Sequence, residues 1–532
     1  MAVVILALDV AAEWLAAETQ RAQLEALAAP WGGSAVTARF FSAGGDLLRT
    51  QTLPALSIDT VAAPYRFNLG RYVADTHVAE GTAARLDLRA GSTDIVRLDC
   101  GLTGSGASVE LAGPLKELCP PDLAGVELLA DSALPAGPPN TLLLTDDGMM
   151  ANGTLPLGSL ELDGAVFVGH NSQDGPRVAK HVLATGVTTV SDSLRTAIGN
   201  SDHSAPCVVA RSDGRLTAFY SRHNIENTAY QRTTVNPGDV SSWGTEVNLN
   251  DGGAITYPSV IVCGSRWLLT FRVDNSWRYR VSTDEGATWG PGITAATYSG
   301  DGSGSRPYLL PVWNAAQSRV DFAVIAQGAD RFLVPYLWHV YATFDGSNAL
   351  TFFKTDGTSL GAAFDAANAT EIYNGAPDGV DIAFQIVTIN PSTGAVWIMA
   401  RRINSTTSSD MLLYRQNGTG WLGPSTIYNA GYPTSPTRTD YVPGAVFHPT
   451  DPTRVFGIRS TGYSGPSRLA EYATTDGGAT WAFVREMTPW SEDNVELLRP
   501  HAIQNGTKYL VAWASGRFTE LTDWDTSILM GA

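Results

Sequence analysis

From about residue 200 onward the chain alternates apolar, β-branched runs with tight-turn residues. The run Cys207-Val208-Val209-Ala210 meets Ser212-Asp213-Gly214-Arg215 and returns as Leu216-Thr217-Ala218-Phe219-Tyr220. Apolar runs flanking Asp-Gly predict a β-hairpin. A second hairpin is predicted where Thr256 to Val262 turns at Gly264-Ser265 and returns as Trp267 to Arg272. Similar hairpins recur over residues 306–326, 381–401, 441–460 and 499–515. Five of the six carry a proline near the start, at positions 206, 258, 307, 443 and 500. A unit of about 50–65 residues with four strands is the signature of a β-propeller. Six units are visible, and residues 165–200 with the C-terminal strands are expected to complete a seventh. The fold class is therefore mainly β: a seven-bladed propeller, or a six-bladed one should that last unit not form.

The first part of the chain reads differently. Residues 9–29 hold no Gly or Pro, and Val10, Trp14, Ala17, Arg21, Leu24 and Ala28 fall near helical spacing, which predicts an amphipathic helix. Strands follow at Ala35–Phe41, Leu47–Leu53, Ala84–Leu88 and Ile95–Cys100. These make a small α+β domain over residues 1–118. Proline clusters at Pro120-Pro121 and Pro135–Pro139 punctuate a connector over 119–164, with short strands at Thr141–Thr145 and Ser159–Leu162. The propeller then occupies 165–532. The apolar start, Met1 to Leu8, lacks a basic leader and runs into Asp9 and Glu13, so it reads as ordered structure rather than a signal peptide. No apolar run approaches the roughly 20 residues that span a bilayer. The expectation is a soluble protein made in a cytoplasm, with no membrane insertion.

Charge narrows the partners. A formal net charge of −17 over 532 residues argues against nucleic acid. Between His203 and Tyr308, however, nine Arg and no Lys face nine Asp or Glu. A neutral, arginine-bearing mouth on an acidic body can still accept a polyanion. The four cysteines, at 100, 119, 207 and 263, show no CxxC spacing, so neither a zinc site nor a disulfide scaffold is expected. No metal and no cofactor are implied.

Hairpin symmetry gathers the candidate chemistry. His203 lies about ten residues before the Asp213-Gly214 turn and His223 about ten after it. Equidistant positions on an antiparallel pair face each other. By the same count Tyr257 and Arg272 are opposed across the second hairpin. Two histidines, a tyrosine and an arginine are thus expected at matching ends of neighbouring hairpins. Histidine has an ordinary pKa near 6.5 and can accept a proton at neutral pH. His339 and His501 read as structural, and His77, His170, His181 and His448 join no constellation.

Two further stretches, Ser282 to Trp289 and Thr474 to Trp481, match S/T-x-D-x-G-x-T-W, with a decayed copy at Gln416 to Trp421. This is the Asp-box, a structural turn expected between the third and fourth strands of a blade. Asp202-His203-Ser204-Ala205-Pro206, Asp213-Gly214-Arg215 and Tyr220 to Asn224 resemble the BNR-4 propeller family. Ile255 to Pro258, Thr270 to Arg272, Arg306 to Tyr308 and Trp338 to Tyr341 continue that likeness in order, over about 165–515. The family's characterised enzymes are polysaccharide lyases, ulvan lyases among them. The resemblance implies that His203 and Tyr257 handle protons, that His223 and Arg272 neutralise a uronate carboxylate, and that Arg306 and Tyr308 contact substrate. Ser204 departs from the family's usual Asn after Asp-His.

Residues 1–118 resemble, in texture rather than motif, the anchoring domains of tailed-phage fibre and appendage proteins. That resemblance implies a virion protein, homo-oligomeric, contacting other virion proteins through this domain. It would hold and cut an acidic polysaccharide or host surface glycan by β-elimination. Two other readings stay open: a receptor-binding glycan lectin that does not cut, and a sialidase. The sialidase ranks last because no Arg-Ile-Pro opens the propeller.

Overall fold

In the computed structural model the described residues are the strands within 3–111 and the chain from 141 onward. Within the latter, 151–157, 202, 301–303, 329–334, 406–407, 432–443, 461–466, 489–490, 492–495, 521–522 and 532 are excepted. The chain divides into two compact units, Met1–Gly137 and Pro138–Ala532. In the first unit, Val36–Ser42 pairs with Leu47–Leu53, and Ala83–Ala90 with Thr93–Asp99, as antiparallel hairpins. They share a five-stranded sheet, and a three-stranded sheet begins with Val3–Asp9. The helix expected over 9–29 lies, apart from Asp9, outside the described residues.

Among the described residues the second unit is a ring of mainly four-stranded antiparallel groups, with extra strands on the third and fourth and a single parallel bridge joining the fifth to the sixth. We number them blades 1 to 7: residues 159–190, 207–250, 255–297, 306–361, 381–431, 445–486, and 496–531 with 142–145. The opening strand of each blade abuts that of the next, and the strand Glu496–Ala502 of blade 7 returns to Ser159–Leu162 of blade 1. A cavity of about 610 Å³ lies among these inner strands, lined by Leu160, Val208, Val260, Leu310, Ile386, Val446 and their neighbours. Second strands such as Ala165–Ser172 and Leu216–Ser221 are buried along their whole length. They are clamped between adjacent blades, which is why they read as continuous apolar runs rather than alternating ones. Outer strands are more open, most of all Val247–Asn250 and Ala482–Glu486.

The closing blade differs from expectation. Residues 165–200 do not complete it, because Ala165–Ser172 and Gly175–Val182 already belong to a full blade 1. Blade 7 instead takes its outer strand from Leu142–Thr145, paired antiparallel with Asp523–Gly531. Both short strands expected in the connector, near 142–145 and 159–162, are ring strands.

Both full Asp-boxes fall between third and fourth strands. In the first, Ser282 Oγ donates to Asp284 (2.7 Å), and the Thr288 N–H and hydroxyl donate to the same carboxylate at 2.8 and 2.6 Å. The second repeats this with Thr474, Asp476 and Thr480. Gly286 (φ 79°) and Gly478 (φ 87°) take the left-handed backbone the turn requires. The tryptophans of the first box and of the decayed copy reach the preceding blade: Trp289 meets Phe219 and donates to Gln231, and Trp421 meets His339. The motif is thus an inter-blade rivet.

A chain beginning at residue 138 should close its ring, whereas one beginning at 147 lacks the Leu142–Thr145 strand. The shorter chain should lose about 4 kcal/mol of unfolding free energy. Urea titration by tryptophan fluorescence measures this, and equal midpoints would show that the strand does not close the ring. The bonds from Thr288 hold the Asp284 carboxyl down to about 2 from an ordinary 3.8. Its stabilising contribution is therefore full above about pH 3.8 and lost as pH falls to about 2. Asp284→Asn should melt below the parent at neutral pH, with the gap closing across that acid window.

Candidate functional site

Blade 2 brings the two histidines together. Its first hairpin pairs Cys207 with Phe219 and Ala210 with Leu216. Continued outward, that register sets His203 opposite His223, as the turn count predicts. Their rings stack, centroids 4.2 Å apart and planes 16° from parallel. The loop leading to His203 is pinned by buried Asn171 of blade 1, whose amide donates to the carbonyls of Gly199 (3.0 Å) and Ser201 (2.8 Å). His203 is buried and His223 half-buried.

Blade 3 supplies the tyrosine by an irregularity. Thr256 pairs with Arg272 and Ser259 with Thr270, so Tyr257 and Pro258 together face Phe271 alone. The expected opposition of Tyr257 and Arg272 is therefore off by one residue. The reason is a β-bulge, in which two residues on one strand oppose one on the other. Tyr257 takes φ 61° there, a conformation costing a bulky side chain about 1–3 kcal/mol. The bulge turns its ring toward the neighbouring blade. The Tyr257 centroid lies 5.4 Å from that of His203, 5.8 Å from His223 and 6.3 Å from Trp277.

Arg272 stands at the centre, only 1% exposed. One terminal nitrogen donates to the Tyr308 hydroxyl (2.9 Å), the other to Asn224 Oδ1 (2.6 Å) and weakly to Thr256 Oγ1 (3.4 Å). Its guanidinium carbon is 5.1 Å from the Tyr257 ring centroid and 5.6 Å from that of Tyr308, within cation–π range. In blade 4, Tyr308 donates to Gln327 Oε1 (3.1 Å), which also accepts from Arg306 Nε (2.8 Å). Arg306 and Arg272 are thereby joined through Gln327 and Tyr308. All six sequence-predicted positions, His203, His223, Tyr257, Arg272, Arg306 and Tyr308, belong to one connected cluster on blades 2 to 4.

Four members were missed: Asn224, Thr256, Trp277 and Gln327. Asn224 and Thr256 stood inside quoted motifs but carry no ionisable group. Trp277 and Gln327 gave no local signal, because strand pairing alone brings them in.

The electrostatics of the cluster are unusual. Among the described residues no carboxylate pairs with Arg272 or Arg306. Arg272 Nε, Trp277 Nε1 and Ser204 Oγ are buried without a hydrogen-bond partner. A buried cation without a counter-charge is costly, and here its own Nε is also an unused donor. The arrangement suits an incoming anion, with imidazole and phenol groups beside it for proton transfer. By contrast His339 is spent on structure: Nε2 meets Asp321 (3.1 Å) and Nδ1 meets Thr355 (2.8 Å), fully buried. Burial pushes His170 down to about 4, so it is neutral. Among the described residues no group of three His, Cys, Asp or Glu could hold a metal ion.

Residues 168–425 match the family described as BNR repeat-containing family member. No curated protein sequence matches the chain. Among solved structures, an ulvan lyase described as a new polysaccharide lyase family, bound to a GlcA(1-4)Rha3S repeat, is similar at 14% identity. The alignment covers 74% of this chain and 96% of that one, with a TM-score of 0.58. The polysaccharide lyase Uly1 is similar at 12% identity over 73% and 96%, with a TM-score of 0.50. At these identities the likeness is one of fold.

Arg272→Met keeps the side chain's volume while removing a buried charge that no described carboxylate pairs. Its stability should stay within about 1 kcal/mol of the parent or rise above it, while acidic-glycan binding is lost. Thermal melts and glycan titration read the two effects separately, and a variant that still bound the glycan would remove Arg272 from the site.

Proposed function

We propose that this chain, whose residues 168–425 match the BNR repeat-containing family, is a polysaccharide lyase that cleaves a uronate-containing glycan by β-elimination. The observation that carries the reading is Arg272. It is a buried guanidinium with no carboxylate beside it among the described residues, set against Tyr257 and Tyr308, with His203 and His223 on the Tyr257 ring.

In this reading Arg272 receives the uronate carboxylate, with His223 as a further donor. Neutralising that carboxylate makes the adjacent C5 proton acidic enough to remove. His203 accepts the proton, the C5 electron pair forms the C4–C5 double bond, and the bond to O4 breaks. Tyr257, or His203 once protonated, gives a proton to the departing oxygen. Arg306, half-buried and tied to Gln327, and Tyr308 hold the flanking sugar. No redox step is involved, and atoms and charge balance within the pair of products.

A second reading, recognition of a host glycan without cleavage, is favoured by Ser204. Its buried hydroxyl makes no hydrogen bond, so the neighbour that follows His203 does nothing to orient it. We assign the chain to a virion on the resemblance of residues 1–118 to fibre anchoring domains, with other virion proteins and further copies of itself as partners. Immunogold labelling of phage particles would test that placement.

Incubating the protein with a panel of uronate polysaccharides should yield fragments absorbing in the ultraviolet band of a conjugated unsaturated uronate. His203→Ala and Tyr257→Phe should each lower turnover by about 100-fold or more with unchanged circular dichroism. Binding to a glycan that keeps its size and gains no absorbance would establish the lectin reading instead.

A further inference from the structure

We infer that Asn224 is a positioning residue that fixes the tautomer of His223 and keeps that ring uncharged. The argument begins with a donor that cannot accept. Arg272 has only N–H donors, so the Asn224 atom 2.6 Å from its terminal nitrogen must be the amide oxygen. Thr256 Oγ1 donates to that same oxygen at 3.0 Å and accepts the Asn224 backbone N–H at 3.2 Å. Both lone pairs of the amide oxygen are therefore used, and the amide cannot flip. Its NH₂ end then points the other way, 3.1 Å from His223 Nε2.

An NH₂ group can only donate. His223 Nε2 must therefore be the lone-pair nitrogen, and the ring proton is on Nδ1. A second proton on Nε2 would set N–H against N–H and break the contact. Asn224 also takes φ 54°, a left-handed conformation that Asn tolerates better than most residues. That conformation lets one short side chain reach both Arg272 and the adjacent His223.

The stack explains what this device does. The His203 and His223 rings lie 4.2 Å apart, so two imidazolium charges there would repel strongly. A base at position 203 works best when its stacked neighbour stays neutral through the proton transfer. Asn224 secures that neutrality, and the charge facing the substrate carboxylate falls to Arg272 alone. This consequence for turnover rests on the lyase reading, whereas the tautomer itself does not.

The test is ¹⁵N–¹H NMR of the full-length protein labelled with ¹⁵N-histidine, with His223→Gln identifying the His223 resonances. At pH 7.5 and without glycan, His223 should show the Nδ1–H tautomer, and an Nε2–H or doubly protonated ring would overturn the inference. Asn224→Asp keeps an oxygen for Arg272 and tolerates the same backbone, yet offers Nε2 an acceptor. It should convert His223 to the Nε2–H or doubly protonated form, and an unchanged Nδ1–H signal would equally overturn the assignment. Should that variant misfold by circular dichroism, Asn224→Gly serves. It accommodates the backbone and should leave both tautomers in exchange, where a single Nδ1–H form would count against the inference. Each result is read without turnover, so loss of the lyase reading and loss of this inference are separable.

Discussion

A guanidinium withdrawn from water, with no carboxylate beside it among the described residues, is the constraint on which this site depends. Water would solvate Arg272 freely, and an acidic partner would compensate it; the described residues supply neither. What it supplies is a set of neutral acceptors and ring faces: Tyr308, Asn224, Thr256 and Tyr257. These hold the group in place without cancelling its charge. A neutral cradle leaves the full positive field for whatever enters, and the cost is borne by the surrounding ring of blades.

Two backbone irregularities let that ring build the cluster. The bulge at Tyr257-Pro258 turns a phenol toward the adjacent blade, and the left-handed Asn224 places an amide between a histidine and an arginine. Strained residues of this kind persist only where surrounding structure over-determines them. Here the surroundings are fully buried second strands and the tryptophans that reach between blades. The Asp-boxes thus serve the site at a distance. They carry no chemistry themselves, yet they stiffen the platform that holds the distorted residues.

Much of this was legible in the sequence, for a local reason. Hairpin register follows from turn position, so the opposition of His203 and His223 could be counted off Asp213-Gly214. Asp-boxes announce their turn by residue type, and their strands followed. The Tyr257–Arg272 pairing came out one residue wrong because a bulge adds a residue without changing the apolar pattern; only Tyr-Pro inside a strand hinted at it. Gln327 and Trp277 were invisible because nothing near them in sequence marks the strand they pair with. The closing strand failed for the same cause. Leu142–Thr145 is four residues long and meets a partner more than three hundred positions away, and no local period can report that.

That distant pairing bears on the order in which the molecule is made. The strand Leu142–Thr145 leaves the ribosome more than three hundred residues ahead of its mate, Asp523–Gly531. Until that mate is made, the circle has an open seam, and six blades must wait for a contact of high sequence separation, which forms slowly. A nascent chain of this design is exposed to edge-to-edge sticking until then, and its dependence on the Asp523–Gly531 strand is correspondingly sharp.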